Sequence, residues 1–145
     1  MTSIKPLPDL EDPLTRPFWD ATRNGRLVMP ECLTCGYLQW PPERVCPECQ
    51  SRGLRWCEVP AAGTLWSYAV YHRALEPAFA DDIPYVVGLI EVDDVNRKMY
   101  GIMTDDESAL EIGARVRGIF VPATDEVTFV RWQIDDASPA EQASS

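Results

Sequence analysis

The chain has 145 residues, of which 46% are hydrophobic and 25% are charged, and these fractions exclude a collagen, a coiled coil and a wholly disordered protein. The 23 acidic and 13 basic residues give a formal net charge of −10. This charge opposes binding to nucleic acids and to anionic membrane surfaces, because both present phosphate groups.

The first residues carry no sign of export or of membrane insertion. Residues 1–12 are rich in proline and acidic residues, which predicts an extended N-terminal segment and differs from the apolar region of a secretory signal. No apolar stretch approaches the roughly 18 residues of a membrane-spanning helix. The sequence therefore predicts a cytoplasmic protein, a setting in which clustered cysteines usually bind metal.

A short helix is predicted within residues 13–25. Apolar side chains recur at helical spacing through Phe18 and Trp19, Thr15 is suited to the N-cap, and Gly25 is suited to the position just past the last turn. A helix this short depends on tertiary packing. It is expected either to pack on the core or to dock a partner.

Two C-x2-C motifs give the strongest signal in the sequence. They supply four cysteines, Cys32, Cys35, Cys46 and Cys49. Four sulfurs at this spacing surround one ion tetrahedrally, at about 2.3 Å for zinc. Because no position is left open for water, a zinc ion here is predicted to be structural and not catalytic. A rubredoxin-like iron centre has the same ligand set and is the alternative. Cys57 is predicted to be a small, buried apolar residue.

Eight short strands are predicted, three in a zinc ribbon over residues 26–59 and five in residues 60–134. Those of the ribbon are 27–30, 37–40 and 55–59. Those of the second unit are 63–72, 85–92, 98–103, 115–122 and 127–134, with a short turn or helical piece over 110–113. The fold class predicted is mainly β: an N-terminal helix, a rubredoxin-like zinc ribbon and a five-stranded OB-fold barrel. Residues 135–145 predict a disordered tail.

No catalytic group of residues is apparent. His72 is the single histidine, and neither a triad partner nor a phosphate-binding glycine motif accompanies it. The loop over 73–84 carries Leu75 and Phe79, so it is expected either to fold over the core or to contact a partner. Acidic pairs fall in predicted loops, where solvated surface charge is their expected role. The residues therefore point to a function in binding.

Further short motifs accompany the cysteines. They are Pro17-Phe18-Trp19, Gly25-Arg26-Leu27, Gly36 and Pro47 within the cysteine motifs, Pro42-x-Arg44, Gly63-Thr64-Leu65, Pro84-Tyr85-Val86-Val87 and Leu110-Glu111-Ile112-Gly113. With these motifs, residues 14–134 resemble the zinc-ribbon plus OB-fold family of acyl-CoA-associated proteins, long catalogued as a domain of unknown function. One departure lies at residues 100–105, where family members more often have a polar-apolar run that ends in glycine.

The resemblance implies a non-catalytic accessory subunit. Members of this family accompany thiolase-superfamily enzymes, which are thiolases or retro-aldolases that make or cleave C–C bonds in acyl-CoA substrates. Related domains accompany MaoC-like acyl-CoA hydratases. The large subunit carries the chemistry, while the small subunit stabilises it and helps to shape the acyl-CoA site. The implied assembly has two large and two small subunits, with structural zinc and with acyl-CoA as a ligand of the complex.

Two sets of residues are candidates for these roles. Arg44, Arg52 and Arg55 are the candidates to bind the phosphates of CoA. Phe18, Trp19, Leu75 and Phe79 are the candidates to contact the partner. Two other functions remain open, a nucleic-acid-binding OB-fold module and an electron-transfer protein with iron at the four cysteines.

Overall fold

The computed structural model describes residues 6–135, and the predictions for residues 1–5 and 136–145 lie outside this part of the chain. One helix, seven strands and two 3-10 turns follow one another along it. In chain order they are α1 (Arg16–Arg23), β1 (Leu27–Cys32), β2 (Leu54–Val59), β3 (Ala62–Tyr71), a 3-10 turn (Pro77–Phe79), β4 (Tyr85–Val92), β5 (Arg97–Met103), a second 3-10 turn (Glu107–Ala109), β6 (Arg115–Pro122) and β7 (Thr128–Ile134). None of these helical segments is long and apolar enough to cross a membrane.

The residues at both ends of helix α1 can be identified from its backbone. Thr15 occupies the N-cap position, although its side chain makes no capping hydrogen bond. At the other end Gly25 adopts a φ of +70°. The N–H of Gly25 donates to the carbonyl of Thr22, and the N–H of Arg26 donates to the carbonyl of Ala21, both at 3.0 Å. This pair of bonds is a Schellman motif, which favours glycine because of its left-handed φ.

The ribbon contains fewer strands than the sequence predicts. Strands β1 and β2 form an antiparallel hairpin. The predicted strand over 37–40 is wrong, because this segment makes one isolated bridge, between Glu31 and Leu38. Pro41 and Pro42 follow at once and offer no backbone N–H, so a third strand cannot extend alongside β1.

The remaining five strands close into a barrel in the order β3-β4-β5-β7-β6, with β6 returning to β3. Each begins and ends within one residue of the predicted strand, and the mainly β, OB-fold class is confirmed. The parallel contact of β5 with β7 is one ladder pair, Met103 with Trp132, next to a 2.8 Å hydrogen bond from the N–H of Thr104 to the carbonyl of Trp132. Because pairing stops there, the barrel wall has an opening between these strands.

The core extends through both parts of the fold. Trp132 fills the barrel, and Leu65 and Ile90 beside it are also fully buried. Leu27 and Met29 of β1 belong to the same cluster of buried residues, so the ribbon hairpin and the barrel share one core.

An ion pair joins the β4–β5 turn to the start of β6. Arg115 donates to Asp93 Oδ1 at 2.9 Å and to Oδ2 at 2.5 Å, and these bonds lower the pKa of Asp93 below its usual value of 3.8. A carboxylate with a lowered pKa in the folded state stabilises the protein above the unfolded-state pKa, and this contribution is lost as the pH falls through the folded value.

We therefore expect Asp93→Asn to lower the free energy of unfolding by about 0.5–1 kcal/mol at pH 7, because both partners are about one-third exposed and solvent screens the pair. Urea unfolding at pH 7 and at pH 3 measures this. The difference from the wild type should shrink in acid. Asp94→Asn, at the exposed neighbouring acid, is the matched control. An equal loss of unfolding free energy at both pH values would contradict the stabilising role of this ion pair.

Candidate functional site

The four cysteines lie on two backbone turns of the same construction. Cys32 ends β1, and its carbonyl accepts the N–H of Gly36 at 2.9 Å. The carbonyl of Cys46 accepts the N–H of Gln50 at 2.8 Å in the same way. Gly36 and Gln50 have φ values of +77° and +65°. Each turn thus brings the two sulfurs of one C-x2-C motif to the same side of the chain.

The four sulfurs form a single cluster, with all Sγ atoms within 4.8 Å of one another. The Sγ atoms of Cys32 and Cys49 are 3.5 Å apart, and those of Cys35 and Cys46 are 3.7 Å apart. A tetrahedral ion with Zn–S bonds of about 2.3 Å requires sulfurs about 3.8 Å apart. The cluster therefore fits zinc, and Cys32, Cys35, Cys46 and Cys49 would bind it.

The electrostatics of the cluster also favour a cation at its centre. Hydrogen bonds from the side chain and backbone of Ser51 lower the pKa of Cys49 to about 6. The backbone N–H of Tyr37 favours the Cys35 thiolate, but desolvation and the neighbouring sulfurs outweigh it and raise the pKa of Cys35 to about 12. Four thiolates cannot share this volume without a cation. Metal binding therefore releases protons, and its affinity falls in acid.

The fifth cysteine lies apart from this cluster. Cys57 is on β2 and partly buried, and its Sγ is 3.8 Å from Glu31 Oε2. Glu31 also pairs with Arg55 across the ribbon hairpin. Cys57 is therefore a packing residue of the hairpin and contributes no ligand to the metal cluster.

The three candidate arginines differ in their surroundings. Arg55 pairs with Glu31, and Arg44 lies 3.7 Å from a carboxylate oxygen of Asp12. Arg52 is exposed in the loop before β2. Two of the three positive charges are thus partly neutralised by acids of this chain.

The four candidate partner residues also differ. Phe18 is only 8% exposed and packs against Trp19 and Trp40, so its place is in the core. Trp19 is partly buried, and its ring meets that of Phe129 edge-on at 6.0 Å. Leu75 is 75% exposed in the β3–β4 loop.

Phe79 and His72 lie in or beside the same loop as Leu75. Phe79 packs against Tyr85, with ring centroids 5.4 Å apart, so this side of the loop folds onto the barrel. His72 is exposed at the end of β3.

A large apolar groove lies beside α1, where β5 and β7 separate. It has a volume of about 440 Å³, and we call it the aromatic groove. Its aromatic lining is Phe18, Trp19, Trp40, Tyr100, Phe129 and Trp132. The groove could not be predicted from the sequence, because it forms only when strands distant in sequence close the barrel. Its one signal was the unusual segment that begins at Tyr100.

The groove continues into a second cavity of about 550 Å³ with a different character. Both cavities are lined by Ile102 and Arg131. The second has four carboxylates in its wall, from Asp82, Asp105, Asp106 and Glu107. Desolvation lowers the pKa of Arg131, while the charge of Asp82 raises it. We call this region the acidic end of the groove.

Comparison with protein families identifies both halves of the fold. Residues 19–55 match the family described as "ChsH2, rubredoxin-like zinc ribbon domain". Residues 56–121 match the family described as "ChsH2, C-terminal OB-fold domain". The first of these matches, together with the clustered sulfurs, supports structural zinc.

Two curated relatives and one solved structure resemble the chain over most of its length. It is 37% identical over 114 residues to a "Probable enoyl-CoA hydratase alpha subunit" of Thermomonospora curvata, covering 77% of this chain but only 34% of that protein. It is 32% identical over 97 residues to a "DUF35 domain-containing scaffold protein" of Methanothermobacter thermautotrophicus, covering 66% of this chain and 72% of that one.

The solved structure is a chain of an "Ltp2-ChsH2(DUF35) aldolase". The two chains share 27% sequence identity and superpose with a TM-score of 0.75, over 90% of this chain and 98% of that one. From the zinc-ribbon and OB-fold matches and the identity to the scaffold protein, the chain belongs to the DUF35 family of ChsH2-type zinc-ribbon and OB-fold proteins.

Proposed function

We propose that this chain is a non-catalytic, zinc-binding accessory subunit of a thiolase-superfamily enzyme. That enzyme is a thiolase or retro-aldolase that makes or cleaves C–C bonds in acyl-CoA substrates. The observation that carries the proposal is the likeness to nearly the whole of one chain of an aldolase assembly. In the part of the chain that the structure describes, the one histidine is exposed and the clustered cysteines suit a structural metal.

The proposed role of the metal follows from the position of the ribbon. Zinc would fix the two cysteine turns and so the end of the β1–β2 hairpin, whose other end belongs to the common core. Arg97 joins the ribbon to the barrel, since its Nε donates to the carbonyl of Leu38 at 2.6 Å and its guanidinium lies 4.5 Å from the ring centroid of Tyr37. The ribbon therefore stabilises the barrel surface that faces a partner.

We expect fewer of the candidate arginines to contribute to the acyl-CoA site than the sequence suggests. Arg44 and Arg55 are each paired with an acid. Arg52 is thus the strongest of the three candidates to meet a CoA phosphate. The net charge of −10 restricts such contacts to a few local cations.

A hydratase partner is the second candidate function. It is favoured by the 37% identity to a probable enoyl-CoA hydratase alpha subunit, although this chain spans about a third of that protein's length. In this alternative the chain would accompany a MaoC-like hydratase subunit. The fold and the zinc site would be the same, so only the identity of the partner distinguishes the two.

Affinity purification of the tagged full-length chain from its native host tests the proposal. Mass spectrometry should identify a thiolase-superfamily protein in equal amount, and light scattering should give the mass of two large and two small subunits. A MaoC-like protein in its place would favour the second candidate. A chain that elutes alone as a monomer would overturn both.

The exposed His72 provides a test of the non-catalytic role. We expect His72→Ala to leave the kcat of the purified complex within about twofold of the wild type, because a group outside the reaction makes no contribution to the transition state. The assay is cleavage of the partner's own acyl-CoA substrate. A large fall in kcat with an unchanged far-UV spectrum would show that this chain donates a catalytic group.

A further inference from the structure

Tyr100 stands out on the barrel surface. It lies on β5 with 74% of its surface exposed, and Trp66 on β3 is 53% exposed. The register places Tyr100 beside Leu89 of β4, and Leu89 beside Ser67 of β3. Tyr100 therefore belongs to the outer side of the sheet formed by these three strands, where an aromatic ring gains nothing from the core of its own chain.

The outer side of this sheet is mainly apolar around Tyr100, with Ser67 as a polar neighbour. We call it the apolar face, and its members are Trp66, Ala69, Tyr71, Val87, Leu89 and Tyr100, which line a depression of about 420 Å³. Charged side chains appear at one end, where Lys98 lies 3.7 Å from Glu91 and 4.8 Å from the ring centroid of Trp66. A chain with a net charge of −10 thus leaves the centre of this surface uncharged.

The apolar face is continuous with the aromatic groove. Val87 and Tyr100 line both depressions, so Tyr100 forms the ridge between them. Six residues of strand extend roughly 20 Å, and three strands span roughly 10 Å between their axes. The apolar face therefore covers roughly 200 Å², and with the groove it has the size expected for the apolar centre of a standard interface, to which one protein contributes roughly 800 Å² in all. The largest apolar patch on a soluble monomer usually measures a few hundred Å² and is often functional.

The charges at the edge indicate the chemistry of the occupant. At the acidic end, the carboxylates of Asp105, Asp106 and Glu107 repel the phosphates of CoA and of nucleic acids. Hydrogen bonds from Ser108 lower the pKa of Asp106, which keeps it ionised. A protein surface with an apolar centre and a basic side chain at this edge is complementary to both regions.

We propose that the apolar face and the aromatic groove together are the surface on which the large subunit docks, with Tyr100 as the central anchor and a basic side chain of the partner at the acidic end. This inference rests on the proposed function and names the residues that carry it out. Tyrosine is enriched among the residues that dominate binding energy, and such residues cluster near the centre of an interface. Leu75 on the β3–β4 loop, the other exposed apolar candidate, lines none of these depressions.

The test compares three arginine substitutions in the full-length, zinc-loaded chain. They are Tyr100→Arg on the ridge, Leu75→Arg on the rival loop and Ile112→Arg as a control at a residue that is 57% exposed. Binding to the large subunit that co-purifies with the wild type is measured by calorimetry. Tyr100→Arg should weaken binding at least about 30-fold, while the other two stay within about threefold. Zinc content and circular dichroism should be unchanged in all three, because each side chain points to solvent.

Each outcome separates this inference from the proposed function. If Tyr100→Arg binds the large subunit as the wild type does, the docking surface is overturned and the function stands. If Leu75→Arg alone loses binding, the loop is the docking site and this inference is wrong. If the wild type binds no large subunit, both fail.

A separate measurement tests whether a basic side chain of the partner binds at the acidic end. The double substitution Asp106→Asn and Glu107→Gln should weaken binding several-fold at low salt and much less at 0.5 M salt, because screening removes the attraction. Unchanged or tighter binding at low salt would overturn the predicted basic side chain of the partner.

Discussion

Replacing the buried Cys46 with serine is expected to remove the metal and unfold the ribbon. Cys46 is fully buried, and its Sγ lies 3.7 Å from that of Cys35. A serine hydroxyl stays protonated at neutral pH, so it cannot replace a thiolate as the fourth ligand. Structural zinc contributes directly to folding free energy. The loss should therefore be a large part of the about 5–15 kcal/mol that stabilises a domain.

The damage should extend beyond the ribbon, because the ribbon contributes to the common core. Leu27 and Met29 of β1 are almost wholly buried beside Phe18 and Val59. If the cysteine turns open, the far end of the β1–β2 hairpin frays, and these side chains lose their cover. We therefore expect Cys46→Ser to lose its zinc and its binding to the proposed large subunit.

Metal analysis, thermal unfolding and pull-down of the partner measure this result. Cys57→Ser is the matched control, because Cys57 is a partly buried cysteine of the same hairpin outside the cluster. It should keep its metal and most of its stability. A Cys46→Ser chain that retained zinc, its thermal transition and its partner would refute the structural role. The same analysis of the wild type decides between colourless zinc and an iron centre, which is red when oxidised.

The features that the sequence predicts correctly are those with a local cause. The cysteine cluster follows from two short spacings, and Gly25 ends α1 because the left-handed turn requires it. The barrel strands follow from runs of β-branched and aromatic residues between turn residues. The strand at 37–40 fails because its composition resembles a strand while Pro41 and Pro42 remove the hydrogen-bond donors that a sheet needs.

The surface beside Tyr100 was not predictable in the same way. Its groove exists because β5 and β7 meet at one ladder pair and separate beyond it, a contact between residues about 30 positions apart. Helical spacing likewise marks both Phe18 and Trp19 as apolar, and both line the groove, but only the packing shows that Phe18 is buried in the core while Trp19 stays partly exposed. Burial of a particular side chain depends on neighbours that no local pattern specifies.

Gly101 and Trp132 lie together at the opening between β5 and β7. The indole of Trp132 lies directly against this glycine, and a Cβ built on it would be 2.2 Å from Cδ1 and 2.5 Å from Nε1 of the ring. The ring is fully buried, so a shift of the ring would disturb the core around it. We expect Gly101→Ala to lower the free energy of unfolding by about 1–3 kcal/mol, because overpacking forces the strand or the ring to shift.

A second substitution should relieve this clash. Trp132→Phe removes Nε1, which is one of the two ring atoms that meet residue 101 and has no hydrogen-bond partner among the described residues. It also leaves a smaller ring, which can move away from a methyl group at residue 101. Alone it leaves a void and should cost less than the about 3–5 kcal/mol of a tryptophan-to-alanine change. Combined with Gly101→Ala, the new methyl group occupies part of that void. We therefore expect the double variant to be more stable than the sum of the single effects predicts, by at least about 1 kcal/mol.

Urea unfolding of the wild type, both single variants and the double variant measures this coupling. Gly53→Ala provides the control, because its Cβ would meet only the exposed side chain of Leu33, at 3.1 Å, in the distant ribbon loop. Its effect should add to that of Trp132→Phe without coupling. Additive effects at Gly101 would mean that the barrel relaxes around the new methyl group. The base of the groove would then deform more easily than its packing implies. A strong coupling would show that Gly101 and Trp132 form one rigid unit directly beneath Tyr100, where a docking partner needs a firm surface.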